Sequence, residues 1–274
     1  MEWRPLALVA LVALAGCSGV FVDETSDDGT LTPAPVPTAT ATSDPPEKSL
    51  PPGVSRHGAL DLDELIRAHG QALDNRSYVW QEWRGTHRVG EPVTERPFRI
   101  RTIRVASEDR YWVWADSHVV HFGQRTRFVY NYSEFVTGGV AYTRLSGLGV
   151  NSTDLKRLPA PSASGRVAAQ SATALSRYLS LAPENVTVTA VGAGPSVRYR
   201  IEGRGGDLLY VDHVRNYSVT AVVTADGLVR SLQVRYRTIR FGEPDVVRYR
   251  YEFSGLDQTT VDAPAWYDAN ARNP

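Results

Sequence analysis

The sequence predicts a mainly β (α+β) domain, a large curved antiparallel sheet of about eleven strands with two helices packed in its concavity. Three observations point there. Apolar and polar residues alternate with period two from Ser77 to Leu145 and again from Val186 to Ser254. Only two stretches, Asp61–Leu73 and about Arg166–Leu181, carry apolar residues at helical spacing. The strands are separated mainly by short turns of Gly, Pro, Asp and Ser, which favour antiparallel hairpins over helical crossovers.

The chain opens on residues 1–16, which read as a signal peptide: a short polar start, then an apolar run from Leu6 to Ala15. Ten residues match a signal-peptide core and fall short of the roughly 20 that a membrane-spanning helix needs. The run closes on Leu14-Ala15-Gly16-Cys17, which looks like a lipobox. In that motif the Cys thiol takes a diacylglycerol and the chain is cut just before it. Cys17 is the only cysteine, so there is no internal disulfide framework and no Cys-rich zinc site. The expectation is an exported protein attached to the outer face of the cytoplasmic membrane through lipidated Cys17. A plain secretory signal and an uncleaved anchor are the alternatives.

Residues 17–57 continue as an acidic tether. Between 18 and 57, six acids face Lys48 and Arg56, whereas the rest of the mature chain carries an excess of four basic charges. Thr32–Pro46 reads TPAPVPTATATSDPP, which has no apolar periodicity and cannot bury enough surface to offset its ordering entropy. Residues 58–274 form the folded domain.

In the first helix Leu62, Leu65, Ile66, Ala72 and Leu73 share one side, and Asp61 with Glu64 resembles a capping box. His69 lies on or beside that stripe and reads as a packed core histidine. The predicted strands are Ser77–Val89, Pro97–Ser107, Arg110–Ala115, His118–Gln124, Arg127–Glu134 and Val140–Leu145, with a turn at Asp116-Ser117. Residues 146–165 read as a loop. Val167, Ala174, Leu175, Tyr178 and Leu179 line the second helix, which Pro183 ends. Val186–Val191, Ser196–Glu202, Tyr217–Thr224, Leu228–Ile239 and Val246–Ser254 complete the strands, with a hairpin turn at Asp226-Gly227. In these strands Arg alternates with Val, Leu and Tyr. That suits a solvated sheet face with cross-strand ion pairs and argues against nucleic acid as a partner.

No catalytic signature is present: there is no G-x-S-x-G, H-E-x-x-H, P-loop or dinucleotide fingerprint. His118 and His121 stand three apart in a predicted strand and face opposite ways, a poor metal pair. No cofactor or metal is expected. Five of the seven asparagines (Asn75, Asn131, Asn151, Asn185 and Asn216) begin Asn-x-Ser/Thr sequons, the acceptor pattern for N-glycans in an exported protein. The same pattern is also ordinary turn chemistry.

The layout of lipobox, Thr/Pro-rich tether, helix leading into SYVWQEW, mid-chain helix and the strand-rich end VTAVVTADGLVRSLQVRYR…VVRYRYEFSGLDQTTVDAPAW resembles the haloarchaeal lipoproteins of unknown function. These are similar in turn to the LolA/LolB/LppX superfamily of lipoprotein and lipid carriers. The resemblance covers about residues 58–267 and rests on layout, on the Asp226-Gly227 hairpin and on the Val261-Asp262-Ala263-Pro264 close. It implies a half-barrel that encloses its helices around an apolar cavity, with no catalytic residues to carry over. A cavity of that kind would be lined by residues such as Trp80, Ile100, Trp112, Trp114, Phe128, Tyr249, Tyr251 and Phe253, and would hold a lipid or other apolar chain. A pocket wall and a filled core share one sequence signature. The alternative is therefore a surface scaffold whose partner is another envelope protein.

Overall fold

The computed structural model describes residues 50–90, 99–120, 127–147, 150–152, 157–192, 194–205, 208, 211, 213–240 and 242–267. All belong to the compact unit Pro45–Pro274, which is distinct from Met1–Asp44. Cys17 and most of the tether lie outside the described residues.

The domain is mainly β, a curved open antiparallel sheet with two helices, not closed into a barrel. Helix α1 (Leu62–Gln71) starts at Asp61, whose side chain accepts from the Glu64 N–H at 3.0 Å. Strands β1 (Tyr78–Arg88), β2 (Arg99–Ser107), β3 (Arg110–Val120), β4 (Arg127–Thr137) and β5 (Val140–Gly147) follow as a meander. Two three-residue strands, β6 (Val150–Ser152) and β7 (Arg157–Pro159), both pair with β5. Helix α2 (Ala163–Tyr178) leads to β8 (Val186–Val191), β9 (Arg198–Arg204), β10 (Arg215–Thr224), β11 (Val229–Arg240) and β12 (Glu243–Ser254). The spatial order is β6-β5-β4-β3-β2-β1-β12-β11-β10-β9-β8, so two meanders join where β1 meets β12.

The structure departs from the sequence reading at four places. Asp116 and Ser117 do not turn: β3 runs through them because β2 and β4 pair with it on both sides. Residues 146–165 are not one loop but contain β6, β7 and the start of α2. That helix begins earlier than its apolar spacing shows, because Ser162 caps it by accepting from the Gly165 N–H. Residues 50–57, read as the end of the tether, are folded: Val54 is buried in the core and bridges to Leu60.

One face of the sheet, the inner face, is covered by α1 and α2. Phe253 of β12 packs edge-on to His69 of α1, and Tyr249 packs against Tyr178 of α2 with centroids 5.0 Å apart. The Tyr217 hydroxyl donates to the Tyr178 carbonyl at the end of α2. The helices cross at Gly70 and Ala168, where a Cβ at Gly70 would stand 3.6 Å from that of Ala168. Fully buried Tyr78, Trp80, Ile103, Val105, Tyr251, Phe253, Leu65 and Leu175 form the centre of the core.

Candidate functional site on the inner face

The inner face can be read off the strand register, because alternate residues of a strand point the same way. Across β1 and β12 the pairs are Trp80 with Phe253, Glu82 with Tyr251, and Arg84 with Tyr249. Across β1 and β2 they are Trp80 with Ile103, Glu82 with Arg101, and Arg84 with Arg99. The face therefore grades along the strands, from an aromatic floor at Trp80 and Phe253, through a mixed row at Glu82 and Arg101, to a purely cationic pair.

The middle row is tied to α2. Arg101 Nη1 donates to Gln170 Oε1 at 2.5 Å and stands 3.9 Å from Glu82 Oε2. Further along α2, Arg166 forms a two-pronged ion pair with Glu134 of β4, which is nearly inaccessible, and the Tyr132 hydroxyl donates to the same carboxylate. The cationic pair has no such partner. Arg84 and Arg99 lie directly opposite each other, both half-buried, and neither joins an ion pair among the described residues. Arg99 Nε is buried with no hydrogen-bond partner. Nearby, burial pushes the Tyr236 phenol up to about 12, Tyr178 adds to the rise, and Arg84 and Arg177 oppose it. Arg177, in the last turn of α2, thus joins the same positive field.

The aromatic floor also holds unpaired polar atoms. Trp80 Nε1 and the hydroxyls of Tyr78 and Tyr251 are buried without hydrogen-bond partners among the described residues. Each such atom costs about 1–3 kcal/mol unless something supplies a partner. Burial alone raises the Tyr251 pKa well above its ordinary value, so the phenol stays a neutral donor. Four residues predicted as a cavity wall (Trp80, Tyr249, Tyr251 and Phe253) come together here.

The other predicted lining residues are placed elsewhere. Ile100, Trp112 and Trp114 occupy register positions on the opposite, outer face, and their period-two alternation could not reveal which face the helices cover. Trp112 Nε1 donates to Ser133 Oγ at 2.8 Å, as does Trp266 Nε1 at 3.0 Å. Phe128 sits opposite Val119 in β4, at a position whose side chain lies outside the description. Among the sequon asparagines, Asn75, Asn131 and Asn216 are exposed and Asn185 is half-buried, while the side chain of Asn151 lies outside the description. Asn75 and Asn216 have φ of 56° and 52°, the left-handed conformation that Asn tolerates well; Asn75 uses it in the turn after α1, and Asn216 at the register irregularity of β10 between Arg215 and Ser218. Sequence reasoning missed Arg84, Arg99 and Arg101, because nothing in the alternation shows that β1 and β2 bring them together. Among the described residues no three His, Cys, Asp or Glu side chains gather as a metal site. No described helix is long and apolar enough to cross a membrane.

The fold and this site define an open antiparallel β-sheet domain with two covering helices and a half-buried cationic pair beside an aromatic floor. No family model and no curated protein matches the sequence. Among solved structures, LprF from Mycobacterium bovis is similar over 76% of this chain and 98% of its own, at 9% identity and a TM-score of 0.34. At those values the likeness assigns no function.

Proposed function

We propose that this chain is a non-catalytic exported lipoprotein, anchored at Cys17 to the outer face of the cytoplasmic membrane, that binds an amphiphile on its inner face. The apolar part of the ligand lies against the aromatic floor and its anionic head meets Arg84 and Arg99. The observation that carries this reading is the Arg84–Arg99 pair: two like charges held directly opposite each other, half-buried, with neither in an ion pair among the described residues. Such a pair destabilises a sheet unless an anion arrives.

A second reading has its own observation. Tyr78, Trp80, Tyr251 and Phe253 touch one another and are closed over, with Phe253 also against His69 of α1, as in a filled core. This reading makes the domain a surface interaction module with an envelope protein as partner. Native mass spectrometry of protein purified without detergent from its source separates the two. A bound mass released on denaturation as a lipid with an anionic head is the expected result. A clean apo mass, with no uptake of an added long-chain phosphate or carboxylate amphiphile, leaves the interaction module.

A further inference from the structure

The outer face carries a second cationic array, and its residues come from the other half of the sheet. One register row runs Arg204, Ser218, Arg235, Arg248 across β9 to β12. The next row places Arg215 directly opposite Arg237. On the other side of the first row Arg250 lies over the Trp83 ring, 5.4 Å from its centroid. All six arginines are exposed except half-buried Arg248, and none is in an ion pair among the described residues. Arg235 with Arg248 and Arg215 with Arg237 are like charges placed directly across from each other, an arrangement that sheets ordinarily avoid. Glu202 and Glu252 flank the array without forming an ion pair with it.

We propose that this outer face of β9–β12 docks flat on an anionic lipid bilayer. The first row spans roughly 14 Å at ordinary strand spacing, so the guanidinium groups are spread over a surface rather than gathered in a groove. That matches a plane of lipid phosphates better than a single acidic chain. Two apolar features sit with the array as they would at a headgroup boundary. Ile239, two residues beyond Arg237 on the same face, is 49% exposed, and Trp83 presents an amphipathic ring under Arg250. A membrane anchor at Cys17 would keep such a bilayer within reach, but the array itself does not depend on the ligand reading of the inner face.

The test is co-sedimentation of Ser18–Pro274 with vesicles. Every core residue falls between Val54 and Val261, so this chain keeps the whole folded unit without its lipid. Binding to mixed phosphatidylcholine–phosphatidylglycerol vesicles, weak binding to phosphatidylcholine alone and release by salt are expected. Replacing Arg204, Arg235, Arg248 and Arg250 together with Gln should lower partitioning about tenfold or more, and replacing them with Lys should restore most of it. An unchanged circular dichroism spectrum of the Gln variant shows that folding is not the cause. Arg84→Gln with Arg99→Gln should leave vesicle binding intact, which separates this face from the inner site. Equal binding to both vesicle types, full binding by the Gln variant, or a preference for soluble polyglutamate over vesicles would each overturn the proposal.

Discussion

His69 Nε2 donates to Ser171 Oγ at 2.7 Å, and this one bond joins α1 to α2 at the centre of the core. The tautomer follows from the other ring nitrogen, since Nδ1 accepts from the Val229 N–H at 3.1 Å. Ser171 passes the chain on by donating to the Val167 carbonyl at 2.8 Å. A neutral imidazole satisfies all three bonds; a protonated one would turn Nδ1 toward a donor.

Burial lowers the His69 pKa to about 4, against about 6.5 in an unfolded chain. Between those values the unfolded state binds more protons, so stability falls as pH drops from about 6.5 toward 4, by about 3 kcal/mol if the shift is fully expressed. Above that window the contribution is complete, and below it the loss is finished. Urea midpoints at neutral pH and near pH 4.5 measure it. His69→Gln should remove this part of the pH dependence and keep the part that arises from carboxylates. A variant as acid-sensitive as the parent would show that another group carries the loss.

Glu134 is nearly inaccessible and is held by Arg166 on α2, with Tyr132 as a second donor. The ion pair raises the Arg166 pKa against the opposing effect of burial, so its charge is fixed. Arg166→Met leaves a buried carboxylate unpaired and should cost about 3–5 kcal/mol. Adding Glu134→Leu removes the stranded charge and should recover most of that loss. Urea unfolding of both single variants and the double variant gives the coupling; simple additivity would mean the pair does not act as a unit.

What could be read in the sequence follows from which interactions are local. The Asp61 cap, the Asp226-Gly227 hairpin and the period-two strands are local, and they were legible. The arginines of β9–β12 were legible as a polar face, but the expected cross-strand partners were acids. The register instead sets Arg235 against Arg248 and Arg215 against Arg237, because strand neighbours are chosen by the apolar face and not by charge. The same blindness to pairing put Trp112 and Trp114 on the wrong wall. The Trp112 ring is held on the outer face by Ser133, which also accepts from Trp266 of a C-terminal segment that no periodicity announces.

That C-terminal segment is testable on its own. Tyr267 packs edge-on against both Phe135 and Tyr142, at 4.7 and 5.0 Å, and Arg110 Nε donates to the Val261 carbonyl. Ending the chain after Pro264 removes Trp266 and Tyr267 and uncovers Phe135, which is 1% exposed in the intact fold. Two aromatic pairs are worth about 1–3 kcal/mol beyond their buried area, so at least that loss is expected in urea. A truncated chain as stable as the parent would show that the segment rests on the sheet without supporting it.

Gly227 holds the β10–β11 hairpin against α1. Its φ is +93°, its N–H donates to the Thr224 carbonyl at 3.0 Å, and a Cβ there would stand 2.6 Å from the Ala68 Cβ. Gly227→Ala therefore meets both backbone strain and a clash with the helix that carries His69. A loss of about 2 kcal/mol or more is expected. Ala68→Gly in the same chain should return only the part caused by the clash, and a full return would show that the backbone strain is negligible.

The inner-face pair makes the sharpest prediction, because its two consequences have opposite signs. Arg84 and Arg99 repel across β1 and β2, and Arg99 Nε has no partner. Replacing either with Gln relieves like-charge contact, so stability should stay level or rise by about 0.2–1 kcal/mol. If the pair exists to hold an anionic head, the same change should weaken retention of the amphiphile by about tenfold, the effect of losing one charge-assisted contact of about 1.5 kcal/mol. Glu82→Gln supplies the contrast: it removes the one carboxylate in the neighbouring row and should strengthen anion binding. Urea midpoints and titration with a fluorescent long-chain phosphate measure the two effects separately. Parallel loss of stability and binding in Arg99→Gln would make the arginine a structural residue and end its assignment as a ligand contact.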